Sequence, residues 1–445
     1  MEKLQLVVLG ILLIFVMLGQ RVNAQTDAEI RSVMSERLSG ADSKIGIVIA
    51  VIDEKGTRFV AHPDNKSAAA TVYEIGSVTK VFTAELLAEM VGRGEVSLDD
   101  PVSKFLPATV KVPTRNGKQI TLLHLATHTS GLPRLPGNFK PANPLNPYAD
   151  YSVENLYDFL SKHELARDPG EKYEYSNLGM GLLGHALSLR AKMSYEDAVK
   201  KRILEPLGMK NTVMTLTPEM RTRLAPGHNP LGKPTPNWDL SVLSGAGSFR
   251  STPEDMAMFV AANMGLKKSN LSEAFALAHE PRTSAGSPVM RIGLGWHVLN
   301  KDGSEITWHN GETGGYKSFA GFNKKLKKGV VILANMPVEM DDIGMYLLGA
   351  GELQKVLEIA PEILDKYVGE YELAPEFVLT VTRAGKKLFV QATNQPQLQV
   401  FAESETDFFY KQVKAKIKFT KNEKGEVTSL TLFQGGREMP ARKIK

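Results

Sequence analysis

The spacing of apolar residues changes several times along the chain, and the changes divide it into parts. Residues 6–18 form an apolar run behind Lys3. From 27 to 38 apolar positions recur at helical spacing, and 45–52 (Ile-Gly-Ile-Val-Ile-Ala-Val-Ile) is an almost unbroken apolar run of strand length. The turn Asp53-Glu54-Lys55-Gly56 leads into a second strand at 57–61, which predicts a buried hairpin. Beyond Ser77 the period becomes helical: Val78, Val81, Phe82, Leu86, Leu87, Met90 and Val91 fall at three- and four-residue steps until Gly92 and Gly94 stop the helix.

Further helices are expected from Asp99-Asp100-Pro101 to about 105–107, over 120–128, from Asn177 through Gly179, Gly181, Gly184 and Ala186, as another that ends at 205–209, and from Ser251-Thr252-Pro253-Glu254-Asp255. The Pro- and Asn-rich stretch 133–147 predicts a loop over a surface or cleft, and Gly245-Ala246-Gly247-Ser248 a glycine-rich turn. A period of two returns at 295–298, 306–309, 318–322 and 330–334, followed by a helix over 343–356. The fold class is therefore α+β: an antiparallel sheet flanked by helices, its early strands from the start of the chain and its later ones from beyond 290, with a mostly helical insertion between. After Ala360-Pro361 seven short alternating segments, at 378–382, 387–392, 398–401, 407–410, 415–420, 427–433 and 439–444, predict a small all-β, barrel-like domain. The organisation expected is a leader at 1–24, a main domain at 25–358 and an accessory domain at 361–445.

With 445 residues, 42% hydrophobic and 23% charged, the chain has globular composition. Its net charge is +5, but the densest basic cluster, Lys324-Lys325-Leu326-Lys327-Lys328, reads as a solvated turn between strands, so no nucleic-acid partner is expected. There is no cysteine, which excludes disulfides, thiolate zinc sites, a thiol nucleophile and lipid attachment at cysteine. The run at 6–18 is shorter than the roughly 20 residues that span a bilayer. With Val22-Asn23-Ala24 behind it, it reads as a secretory signal cleaved after Ala24. Export without disulfides suits a bacterial periplasm or secretion, with peripheral cell-wall contact as a possible association.

Candidate chemistry starts at Tyr73-Glu74-Ile75-Gly76-Ser77-Val78-Thr79-Lys80. Ser and Lys three apart at a helix start share one face. A desolvated lysine loses proton affinity and becomes able to take the serine proton. Ser-x-x-Lys is loose, expected on the order of once or twice in a chain of this length from average composition. It occurs once here, as do Tyr-x-Asn (Tyr175-Ser176-Asn177) and His-x-Gly (His309-Asn310-Gly311). His124 and His128 have the spacing of zinc-binding helices, but without a Glu beside the first or a third ligand nearby they read as structural, and neither a metal nor a cofactor is expected.

Taken in order, these motifs resemble the serine β-lactamase and penicillin-binding protein superfamily, in particular its class C β-lactamase and D-alanyl-D-alanine carboxypeptidase branch. The resemblance covers residues 27–353 and is supported by Asp99-Asp100-Pro101-Val102, Leu125-Ala126-Thr127-His128-Thr129-Ser130-Gly131-Leu132, Pro169-Gly170 and His309-Asn310-Gly311-Glu312-Thr313-Gly314-Gly315-Tyr316. It implies a β-lactamase/transpeptidase-like fold with Ser77 as the acylated nucleophile and Lys80 and Tyr175 as its proton-transfer partners. It further implies Asn177 on the substrate amide, and Gly311 and Glu312 at the substrate strand, with the Ser77 and Glu312 amides as an oxyanion hole worth ~3 kcal/mol per donor. His309 stands where dedicated class C enzymes carry Lys. A charged His there is expected to hold a substrate carboxylate below a pKa near 6.5, which favours a peptidase over a specialised β-lactamase. The implied activity is an exported serine hydrolase acting on D-Ala-containing peptides, β-lactams or both. A β-lactamase proper, a carboxylic-ester hydrolase and a non-catalytic β-lactam sensor are the alternatives. The C-terminal segment resembles the lipocalin-like appendages of some relatives.

Overall fold

The computed structural model describes residues 26–38, 42–301, 303–353, 356–395, 397–410 and 415–445. The leader expected at 1–24 lies outside the described residues. Helix α1 (Asp27–Arg37) opens with a capping box in which Thr26 accepts from the Glu29 amide and the Glu29 carboxylate accepts from the Thr26 amide. Strands β1 (Ile47–Asp53) and β2 (Gly56–His62) form the predicted hairpin. A turn over Gly76–Val78 runs directly into helix α2 (Thr79–Gly92). Helix α3 (Asn177–Ala191) follows, capped by Ser176, and α4 (Pro253–Asn263), capped by Thr252 with Pro in its first turn.

Six strands then complete the main sheet: β3 (Thr283–Ser287), β4 (Met290–Ile292), β5 (His297–Lys301), β6 (Ser304–Glu312), β7 (Lys317–Asn323) and β8 (Lys328–Ala334). The order is β2-β1-β8-β7-β6-β5-β4-β3, every pair antiparallel, so the first hairpin joins strands from more than 270 residues later, with Ile49 opposite Ile332. The early-plus-late sheet with a helical insertion is as the sequence predicts; β3, small and polar in sequence, and the three-residue β4 are additional to it.

The unbroken apolar run of β1 has a simple cause: both faces of the sheet are covered. Val48, Ala50 and Ile52 point into the main core with α2 and α4, while Ile47 and Ile49 point into a second core under α1 and helix α5 (Asp341–Leu347). Phe82 of α2 stacks on Phe259 of α4 at 4.2 Å. The final helix of this region is shorter than the 343–356 that spacing predicts. It ends at Leu347 because Gly349 (φ 85°) and Gly351 (φ 75°) take left-handed conformations that a helix does not contain. No helix among the described residues is long and apolar enough to cross a membrane.

The C-terminal part is a closed barrel of eight strands in neighbour order: β9 (Gly369–Ala374), β10 (Phe377–Ala384), β11 (Lys387–Ala392), β12 (Gln397–Ala402), β13 (Asp407–Tyr410), β14 (Ala415–Lys421), β15 (Val427–Gln434) and β16 (Arg437–Lys443). Seven of these are the predicted segments. The eighth, β9, closes the ring by pairing Tyr371 with Lys443. Closure removes the exposed edges that an open sheet would leave. The interior is filled by Tyr367, Tyr371, Phe408 and Phe419, with the Tyr367 and Phe419 rings 4.3 Å apart, so this barrel is a packed core.

Candidate active site

Three pieces of chain far apart in sequence meet at the start of α2. Gly76 (φ 48°) and Gly311 face each other across the gap between the Ser77 turn and the end of β6. A Cβ on Gly76 would stand 2.7 Å from the Glu312 amide nitrogen, and one on Gly311 would stand 2.1 Å from the Ile75 carbonyl oxygen and 2.9 Å from the Ser77 amide nitrogen. Only glycine permits this approach, and it sets the Ser77 and Glu312 amides beside one another. Ser318 of the neighbouring strand pins the turn by donating to the Ile75 carbonyl at 2.7 Å.

Lys80 lies one turn into α2, fully buried, with Nζ 2.9 Å from Ser77 Oγ. It also donates to the Ala246 carbonyl at 2.6 Å, which gives the glycine-rich turn at 245–248 its function. Burial, helped by the charge of Arg134, holds the amine well below the usual lysine range. A neutral amine keeps one lone pair after donating to Ala246, and the Ser77 hydroxyl is the group within its reach.

Tyr175 precedes α3, and its ring centre is 4.9 Å from Lys80 Nζ. Burial pushes its phenol up to about 12, with the nearby Ser77 side chain pulling the other way, so it carries its proton at neutral pH. Asn177, at the first position of α3, donates to the Tyr148 hydroxyl at 3.2 Å, and its Oδ1 has no partner among the described residues. The residue just past the predicted loop 133–147 is Tyr148, whose ring packs 5.4 Å from that of Trp238 to form an aromatic wall. Trp238 is seated by its amide donating to the buried Glu74 carboxylate (2.9 Å), and Arg250 bridges Glu74 and the Trp238 carbonyl.

His309 requires a correction. It is fully buried beside the other site residues, with its Nδ1 2.5 Å from the Asn310 carbonyl. Burial holds it well below the usual histidine range. The charged His309 expected to grip a carboxylate is a neutral imidazole, with Nδ1–H given to Asn310 and Nε2 left without a partner among the described residues.

Two further histidines join it: His128, read from the sequence as structural, and His297, which no motif singled out. His128 accepts from the Ser176 amide at 3.1 Å and lies 4.6 Å from the Tyr175 ring. Burial holds it, too, well below the ordinary value. Its left-handed backbone (φ 56°) is the one local signal that it ends the short helix Leu122–Ala126 rather than serving as a helical metal ligand with His124. His297 pairs with the Tyr173 hydroxyl at 3.0 Å and lies 5.1 Å from the His309 ring; burial brings it down to about 4. The site is thus an uncharged, enclosed floor of three imidazoles and two phenols around one neutral amine.

The family model described as Beta-lactamase matches residues 32–350. The chain belongs to the beta-lactamase family. A second model, described as a domain of unknown function (DUF3471), matches residues 353–443, the barrel and its lead-in. Over 217 residues this beta-lactamase family member is 35% identical to the D-alanyl-D-alanine-carboxypeptidase/endopeptidase AmpH of Escherichia coli strain K12. That match covers 47% of this chain and 55% of the relative, so the chain spans about half that relative's length. It is 30% identical over 301 residues to a Beta-lactamase of the same strain, covering 60% of this chain and 75% of that one. The solved structure of the octameric penicillin-binding protein homologue from Pyrococcus abyssi superposes with a TM-score of 0.65 at 24% identity, over 94% of this chain and 99% of that one. This likeness carries the fold, barrel included.

Proposed function

We propose that the chain is an exported serine hydrolase that forms an acyl-enzyme on Ser77 and acts on D-Ala-terminated peptides of the peptidoglycan type, and on β-lactams as mimics of them. The observation that carries this reading is the Ser77–Lys80 pair: a hydroxyl 2.9 Å from an amine that burial keeps neutral, at the point where two backbone amides converge. Lys80 takes the Ser77 proton as Oγ bonds to the substrate carbonyl carbon. The amides of Ser77 and Glu312 hold the oxyanion that develops. Tyr175, protonated at neutral pH, delivers a proton to the leaving amine as the carbon–nitrogen bond breaks, and Lys80 returns its own proton to the phenol. Water then cleaves the ester by the reverse proton path. Asn177 Oδ1 and the Tyr148–Trp238 wall are placed to orient the peptide backbone.

The names of the two E. coli relatives support the substrate class, one a carboxypeptidase/endopeptidase and one a Beta-lactamase. Export to a bacterial periplasm or beyond rests on the leader-like stretch 1–24 and the absence of cysteine. A D-Ala-D-Ala peptide is expected to release D-Ala, and a fluorescent penicillin to label Ser77, in the wild type and in neither case after Ser77→Ala. Release or labelling that survives this substitution overturns the reading. Rapid turnover of a chromogenic cephalosporin without D-Ala release would assign the β-lactamase activity that the second relative's name supports. A stable label without any turnover would assign a sensor.

A further inference from the structure

The neutral state of His309 leaves a gap in the reading above, on which this inference rests. A D-Ala-terminated peptide, like a β-lactam, brings a carboxylate into the cleft, and the floor of the site holds no cation for it. Lys80 is buried and neutral at the nucleophile, and Lys317 is buried against Glu312. Arg134 is different. Its backbone is fastened to the start of α3: the Arg134 carbonyl accepts from the amides of both Asn177 (3.0 Å) and Leu178 (3.2 Å), and the preceding Pro133 carbonyl accepts from Ser176 Oγ at 2.7 Å. Tyr175 and Asn177 flank that same Ser176, so the loop carrying Arg134 and the turn carrying the two site residues move as one piece.

From this fixed base the exposed Arg134 side chain reaches over the site, with its guanidinium carbon 5.0 Å from the centre of the Tyr175 ring. Its charge is felt by Lys80, His128, Tyr148, Tyr173 and Tyr175, that is, by every side of the cleft. The guanidinium makes no ion pair or hydrogen bond among the described residues, whereas Arg202, Arg223 and Arg250 are each bound to carboxylates. A planar fork of donors with unused capacity, held over a site where the other bases are neutral, matches the geometry of a carboxylate.

We propose that Arg134 is the carboxylate-binding residue of this site, and that it takes the free α-carboxylate of the leaving amino acid. The choice of the leaving side follows from Tyr175. The group that protonates the leaving nitrogen is the one Arg134 sits beside, and in an amino acid the carboxylate lies only two bonds from that nitrogen. Arg134 thereby selects substrates cut immediately before a C-terminal amino acid with a free carboxyl group, which is carboxypeptidase specificity, and accepts β-lactams whose carboxylate is carried near the ring nitrogen.

The test compares a D-Ala-D-Ala peptide with the same peptide ending in D-Ala amide, in wild type, Arg134→Gln and Arg134→Lys. The wild type is expected to prefer the free acid, and Arg134→Gln to lower the ratio of kcat/KM values, acid over amide, about tenfold or more, with the loss falling in KM. Arg134→Lys is expected to restore part of that preference, since it keeps the charge and loses the fork. An unchanged ratio, or an equal fall on both peptides, overturns the proposal and makes Arg134 a structural neighbour of Tyr175. A wild type that cleaves neither peptide and takes no penicillin label at Ser77 fails one step earlier and removes the hydrolase reading itself.

Discussion

Glu312 puts a carboxylate on the residue whose amide is proposed to hold the oxyanion, an arrangement that by itself opposes such a role. Lys317 resolves it: its Nζ lies 3.1 Å from Glu312 Oε2. Burial works against the Lys317 charge, but the carboxylates of Asp341, Glu339 and Glu312 hold the ammonium above the usual lysine range, so the cation is permanent. Removing it with Lys317→Met is expected to slow acylation by a fluorescent penicillin about tenfold, equivalent to ~1.4 kcal/mol of transition-state stabilisation. Adding Glu312→Gln should restore most of the rate, because the amide donor is then free of its neighbouring negative charge. Stopped-flow labelling of the two variants checks this; a double variant as slow as the single one would show that Lys317 acts only through packing. At this scale the sequence was legible for Ser77, Lys80, Tyr175 and Asn177, whose motifs are local. It was silent on Lys317, because a residue five positions from Glu312 becomes its partner only when β6 and β7 pair with Glu312 opposite Lys317.

At the scale of elements, β5 and β6 deliver the histidines. His309 and Gly311 share the face of β6 that looks at Ser77, as residues two apart must, while Asn310 on the other face bonds to Asp341. His297 enters through β5, opposite Trp308. Its folded pKa, lowered to about 4 by burial, lies below the unfolded value near 6.5. The stability it contributes is thus present above about pH 6.5 and is lost as pH falls towards about 4, where the unfolded chain takes up a proton that the folded one refuses. Glu85 of α2, which accepts from Trp296 Nε1 at 3.0 Å, runs the other way: burial raises it to about 8, so its linkage lowers stability as pH rises from 4.5 to 8. The difference between variants isolates the histidine. His297→Gln is expected to lose less stability between pH 7 and pH 5 than the wild type, read as a smaller shift of the urea midpoint; parallel shifts would mean that His297 titrates normally. The order and type of the elements were legible because each carries its own period. Their ends were less so: β3 and β4 have weak alternation, β9 is a short strand beginning at a glycine, and the helix α5 stops where two glycines adopt left-handed backbone that periodicity does not report.

At the scale of the whole molecule, the barrel has a hydrophobic core of its own, separate from the two cores that sandwich the main sheet. The lead-in is tied to the barrel itself: the Leu357 amide donates to the Ala402 carbonyl at 2.8 Å, Lys386 pairs with an exposed Glu358, and Ile359 packs on the barrel core. No described barrel residue is among the groups gathered around Ser77. Deleting the residues after Pro361 is therefore expected to leave a folded main domain with kcat/KM on small β-lactams within about twofold of the full chain. Loss of a cooperative melting transition, or a larger fall in activity on small substrates, would show that the barrel is part of the catalytic fold.

The sequence by itself determined what depends on near neighbours: the strand and helix periods, the split between an α+β part and a β-rich end, and the short motifs that bring a serine, a lysine and a phenol into play. The tertiary structure alone decided the charge state of the site. Ser-x-x-Lys brings an amine to a hydroxyl through one helical turn, but the depth at which α2 is buried is what lowers that amine's proton affinity. His309 carries the same imidazole in any chain, and its neutrality comes from β5, α2 and the loop after residue 126 closing over it. Ala246, His128, His297 and Arg134 belong to the site for the same reason. Desolvation and through-space charge depend on which distant segments exclude water from a group, and no local pattern encodes that.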